Sequence, residues 1–184
     1  MLSTIFLFLH LLATCAAIGT IVITDMRLMA RVIGYRVVIA SPERFDTLMI
    51  SLSLLLLYIT GAVVIALGLT ENPDYLANGK LQGKLILVVL LTLNALVLHF
   101  RTFPILRRSQ PVANWSRAQW LTVSGSVSLS TSIWFYSAFL GVARLWNFSV
   151  SVWFVLMIGM VIWALVFVAA NTVLVLASRE APLG

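Results

Sequence analysis

An all-α integral membrane bundle of five transmembrane helices, running up and down, is the fold class that three observations predict. First, 61% of the 184 residues are apolar, only 10% are charged, and the mean hydropathy is +1.07. A soluble domain is about 45–50% apolar and about 25% charged. Second, five stretches approach the length of about 20 apolar residues that crosses a bilayer as a helix. Third, the cations fall unequally on the two sides that five spans create. This composition excludes a water-soluble enzyme, a disordered chain and a disulfide scaffold; the single cysteine, Cys15, has no internal partner.

The whole chain, 1–184, reads as a single transmembrane domain. The first span runs over about 2–24 and is closed by Asp25 and Arg27. It lacks a basic n-region and exceeds the usual apolar run of a signal peptide, so it is expected to be retained. Beyond it, Arg27, Arg31 and Arg36 alternate with Leu28, Val32, Ile33 and Val37, the pattern of an amphipathic interfacial extension over Met26–Val38. The second span covers about 47–69 and ends at the turn signal Glu71-Asn72-Pro73-Asp74. The third covers about 84–103, with Pro104 at its far end; the fourth covers about 118–141 and the fifth about 149–177. Short loops make neighbouring helices antiparallel.

Five spans place the termini on opposite sides. Arg27, Arg31, Arg36, Arg44, Arg101, Arg107, Arg108, Arg117 and Arg179 share one side, while Lys80, Lys84 and Arg144 take the other. Cations concentrate in cytoplasmic loops. The N-terminus is therefore expected outside and the C-terminus in the cytoplasm, in the plasma (inner) membrane. The net charge of +6 then reads as a topology signal and a contact surface for membrane lipids. No aromatic-basic platform or basic tail accompanies it, so no nucleic-acid partner is expected.

Polar side chains inside a span are costly and point to function. His10 and His99, the chain's two histidines, both fall within spans. At the helical rise, His10 lies about 13 Å and His99 about 22 Å below the outer surface. That offset of about 9 Å stands against both imidazoles sharing one iron. Lys84, Val88, Leu91, Ala95 and His99 form a stripe at helical spacing, readable as a polar seam facing the bundle centre or as a snorkelling lysine and an interfacial histidine. Asp25, His99, Arg101 and Asn171 reach similar depths at the inner face, and Asn94 matches the level of His10. A carboxylate beside an imidazole would make that group a proton relay; a capping acid and an interface anchor are the alternative. Ser124, Ser128 and Ser132 stand at four-residue steps, the spacing of close helix packing, with a hydrophilic pore lining as the other reading. Trp134 and Trp163 lie deep enough to pack in the core or on a flat cofactor.

Leu9-His10-Leu11-Leu12 with Gly19 and a basic residue past the span, Tyr58-Ile59-Thr60-Gly61 in the second helix, and Lys84-Leu85-Ile86-Leu87-Val88 followed by Asn94 and His99 resemble the first three helices of small HemJ/CopD-type multi-span membrane proteins. The resemblance implies b-type haem and protoporphyrinogen oxidation in one branch, and copper handling in the other. It makes His10 the haem-ligand candidate and Lys84 the paired basic residue; His99, as the chain's other histidine, is the candidate for a second metal ligand on the residues alone. Copper gains no support from the residues themselves, since Met26, Met29 and Met49 are scattered and build no soft-ligand cluster. Three readings follow: a haem-b-binding redox protein or redox-complex subunit; a non-catalytic accessory or assembly subunit with a homo- or hetero-oligomeric membrane partner; or a small transporter or metal-handling protein. No nucleophile–base pair, phosphate loop or paired-carboxylate site is visible.

Overall fold

The computed structural model describes residues 2–33, 41–108 and 111–179, which are helical apart from turns and contain no strand. Five long helices run α1 (Leu2–Ile33), α2 (Arg44–Glu71), α3 (Gly79–Val97), α5 (Arg117–Val142) and α6 (Val152–Arg179). Helix α3 passes through a single π turn, Leu98–Thr102, into the short α4 (Phe103–Arg107). Among the described residues, four helices are long and apolar enough to cross a membrane: Thr4–Met26, Arg44–Glu71, Gly79–Arg107 and Val152–Leu176.

The boundaries follow from local chemistry. Asn72 accepts a hydrogen bond from the Asp74 amide, and Pro73 occupies the first position of a 3-10 turn, which suits a residue with no N–H to donate. Asn78 caps α3 by accepting from the Lys80 amide at 3.1 Å, and its Oδ1 also accepts from the Phe148 amide at 3.3 Å. Buried Asn78 thereby ties the α2–α3 turn to the α5–α6 turn at one end of the bundle. Ser116 and Gln119 form a reciprocal capping box that starts α5. Helix α1 continues to Ile33, past the sequence-expected end at residue 24; positions 34–38 of the expected amphipathic extension lie outside the described residues.

Helices α1 and α2 pack on each other as a hairpin, whereas α3, α5 and α6 form the other half of the bundle. Helix α5 also touches α1. The main core gathers Ala17 and Ile21 of α1, Leu87 and Leu91 of α3, Ile133, Trp134, Tyr136 and Leu140 of α5, and Val155 of α6. A smaller cluster at the opposite end from Asn78 holds Leu106, Val112, Trp115, Val123 and Leu174. Two glycines let α3 approach α6: a Cβ on Gly79 would strike the backbone at Val150 and Val152, and one on Gly83 would lie 2.6 Å from Val155 Cγ1. Most large apolar side chains face outward. The Val152–Leu176 segment has a hydropathy of 2.7 but only 6% of it is buried, the reverse of a soluble core helix and the arrangement lipid requires.

Helix α5 departs from expectation. It is long enough to span, but its run of serines leaves it outside the set of sufficiently apolar helices. The reason is its position: Ser124, Ser126, Ser128, Ser132, Trp134 and Tyr136 are buried against protein. Trp134 is thus a core residue, 3% exposed. The expected stripe of α3 is also rotated. The buried face is Gly79, Gly83, Leu87, Leu91 and Asn94, and His99 is exposed. Lys84 is half-buried whereas His99 is exposed, and the π turn that carries His99 breaks the α-helical repeat on which the stripe rests.

Candidate functional site

The site begins with Thr60, 1% exposed on α2. Its hydroxyl donates to the Leu56 carbonyl at 2.7 Å, which leaves an oxygen lone pair for His10 Nδ1 at 2.8 Å. A hydroxyl whose proton is committed can only accept, so Nδ1 carries the imidazole proton and Nε2 presents a lone pair. Gly61 follows on the same helix. A Cβ there would lie 3.6 Å from His10 Cε1 and face no other group within 4 Å, so the glycine leaves one side of the ring uncovered.

Lys84 of α3 lies within electrostatic range of His10 and of Lys80, one turn earlier. The Lys84 Nζ lies 3.7 Å from the point where a Cβ on Gly141 would sit, at the C-terminal end of α5. Lys80 Nζ donates to the Ala143 carbonyl at 3.2 Å, just past that end. The negative end of a helix dipole favours cations, which accounts for two ammonium groups collecting there. Neither lysine forms an ion pair with a carboxylate among the described residues, and the Lys84 ammonium makes no hydrogen bond among them. One imidazole acceptor and two ammonium groups therefore converge without an acid. This arrangement suits a ligand that carries an anionic group and accepts coordination from a single imidazole.

The other predicted site residues are dispersed. His99 sits in the π turn with its ring edge-on to Phe100 at 5.2 Å and Phe103 at 6.4 Å. It lies 15 residues along one rod from Lys84, about 22 Å at the helical rise, so the structure does not bring His99 to His10. Arg101 is exposed on the same turn. Asn171 accepts from Trp120 Nε1 at 2.6 Å and donates to the Phe167 carbonyl, linking α6 to α5. Asn94 is buried and donates to the Ser126 carbonyl at 2.8 Å, clasping α3 to α5. Asp25 accepts from Thr131 Oγ1 at 3.2 Å. Asp25 on α1 and Asn171 on α6 are thus bonded to α5 rather than to His99 or Arg101 of the π turn, so no bond links the four residues of the expected inner-face group.

Sequence reasoning paired His10 with Lys84 but did not assign Thr60, Gly61, Lys80 or Gly141 to the site. The Thr60-Gly61 step within an apolar run was the available signal. Among the described residues, no three His, Cys, Asp or Glu side chains stand close enough to hold a metal ion together. Comparison with protein-family models, curated protein sequences and solved structures finds no match for this chain.

Proposed function

We propose that this integral membrane protein binds haem b through His10, as a redox protein or a subunit of a redox complex. The observation that carries the proposal is the Thr60–His10 bond, which commits Nδ1 and leaves Nε2 as an acceptor, within electrostatic range of a lysine that has no ion-pair partner among the described residues. The donor set fits the group. A single neutral imidazole is an axial ligand to haem iron, and a hydrogen bond on the far ring nitrogen orients such a ligand. Thr60 supplies that bond here. Lys84 would pair with a propionate carboxylate, and Gly61 and Gly141 keep side chains away from the imidazole and the ammonium. When bound, haem supplies one-electron redox chemistry. Protein purified in detergent is expected to show a Soret band that His10→Ala abolishes without changing the far-ultraviolet circular dichroism; a colourless, folded preparation reconstituted with haem and still lacking the band would overturn the proposal.

We also infer five spans, with the N-terminus outside and the C-terminus in the cytoplasm of a plasma (inner) membrane. Helix α5 is as long as its neighbours and packs along α1, α3 and α6. Its hydroxyls largely bond within the protein: Ser128 donates to the Ser124 carbonyl at 2.5 Å, Ser132 to the Ser128 carbonyl at 2.6 Å, and Ser126 pairs with Thr102 at 2.7 Å. The cations support the direction. Arg44, Arg101, Arg107, Arg108 and Arg117 gather at one end, against Lys80, Lys84 and Arg144 at the other.

A further inference from the structure

At the end of the bundle remote from His10, a half-open cleft of about 390 Å³ lies between the start of α2 and the end of the α3–α4 rod. Arg44 and Arg107 line it, together with His99. Neither arginine forms an ion pair or a hydrogen bond among the described residues, and His99 has only ring contacts with Phe100 and Phe103. The hydroxyls on the α2 wall do not compete as donors, because Thr47 donates to the Glu43 carbonyl at 3.1 Å and Ser51 to the Thr47 carbonyl at 2.8 Å. The nearby carboxylate of Asp46 is buried and faces α1, where Thr24 reaches it at 3.5 Å. Two guanidinium groups, an imidazole and the Ser41 hydroxyl are thus the lining side chains that make no hydrogen bond among the described residues, and together they match the oxygens of a phosphate.

The position of the cleft decides what carries that phosphate. Arg44 is the first residue of one apolar span and Arg107 the last of another, so the guanidinium groups stand at the edge of the hydrocarbon layer. One turn deeper on each helix the lining becomes Leu48 and Phe103. On α2 the apolar column continues outward-facing through Leu52 and Leu55, which are 52% and 56% exposed. A cationic rim above an apolar wall repeats the layout of a phospholipid, headgroup above acyl chain. A free phosphate would use the rim alone. We propose that this cleft binds the phosphodiester headgroup of an anionic phospholipid, with an acyl chain lying along Leu48, Leu52 and Phe103.

The test uses the full chain in detergent, titrated with phosphatidylglycerol and with phosphatidylcholine, and read by native mass spectrometry. Phosphatidylglycerol is expected to be retained in preference to phosphatidylcholine. An Arg44→Gln/Arg107→Gln double variant is expected to bind it about 25-fold more weakly, since each interfacial cation contributes about a factor of five. Arg117→Gln removes an exposed cation outside the cleft and is expected to bind as the parent does, so a fall confined to the double variant separates the site from general surface charge. Both single variants, Arg44→Gln and Arg107→Gln, are expected to show intermediate loss, which keeps the test valid if the double variant does not fold. Equal retention of the two lipids, unchanged binding in the variants, or displacement of the lipid by millimolar inorganic phosphate would overturn the assignment.

Discussion

At the scale of single residues, Thr60 governs the site, because its hydroxyl relays a carbonyl's demand to an imidazole. Replacing it with valine keeps the shape and removes the oxygen, leaving Nδ1–H without a partner. Thr60→Val is expected to weaken haem binding about tenfold, as loss of an outer-shell partner does. The Soret maximum and the haem dissociation rate are the readouts, and an unchanged rate would show that Thr60 does not position the ring. His10 and Lys84 stand out in the sequence as bases inside apolar runs, but a snorkelling lysine explains Lys84 equally well there, and only the family resemblance pairs the two. Thr60 does not stand out, since threonines in apolar helices routinely bond back to a carbonyl four residues earlier. Thr14, Thr20, Thr24 and Thr92 all do so here. Only the structure distinguishes Thr60, whose hydroxyl also accepts from an imidazole, from Thr92, which accepts from the Tyr58 hydroxyl instead. His99 departs from the stripe because it lies in a π turn, where the α-helical repeat that defined the stripe no longer holds.

At the scale of elements, the α3–α6 contact depends on what two glycines omit. Gly83→Leu places a side chain where Val155 already stands, and overpacking of that kind costs about 1–3 kcal/mol. Gly19 on α1 has nothing within 4 Å of its Cβ position, so Gly19→Ala is expected to be neutral or stabilising by up to about 1 kcal/mol through helix propensity. Thermal unfolding in detergent checks the pair: a lower midpoint for Gly83→Leu and no loss for Gly19→Ala. The four apolar helices were readable from hydropathy because lipid-facing surface is written continuously in composition. The role of α5 was readable only in part. Its serine spacing indicated close packing, and that is where the structure puts Ser124, Ser128 and Ser132. Which helices would enclose it was not, because burial on several sides leaves no periodic signature.

At the scale of the whole molecule, the two ends differ in charge and in what they offer. One end holds Lys80, Lys84, Arg144 and the Asn78 clasp; the other holds Arg44, Arg101, Arg107, Arg108 and Arg117 and the cleft that Arg44 and Arg107 line. The proposed orientation makes the first end external. In a Cys15→Ser background, a cysteine at Glu71 is expected to react with a membrane-impermeant maleimide on intact cells, and one at Arg108 only after the membrane is opened. The reverse labelling would invert the topology. Sequence alone sufficed for this asymmetry, because loop charges need no tertiary structure to be counted. The division into an α1–α2 hairpin and an α3–α5–α6 group was invisible, since all the apolar helices carry similar side chains and hydropathy does not name partners.

The serine-rich make-up of α5 has a consequence for how the chain is made. A nascent helix leaves the translocation channel for lipid according to its own transfer free energy, and the other long helices are apolar enough to do so unaided. Helix α5, emerging after three of them, is not. Its entry depends on surfaces already present, α1 and α3, and on α6 following only a few residues behind. In the proposed five-span arrangement, insertion is thus expected to be cooperative at its fourth step, with a defect in α6 felt first in α5.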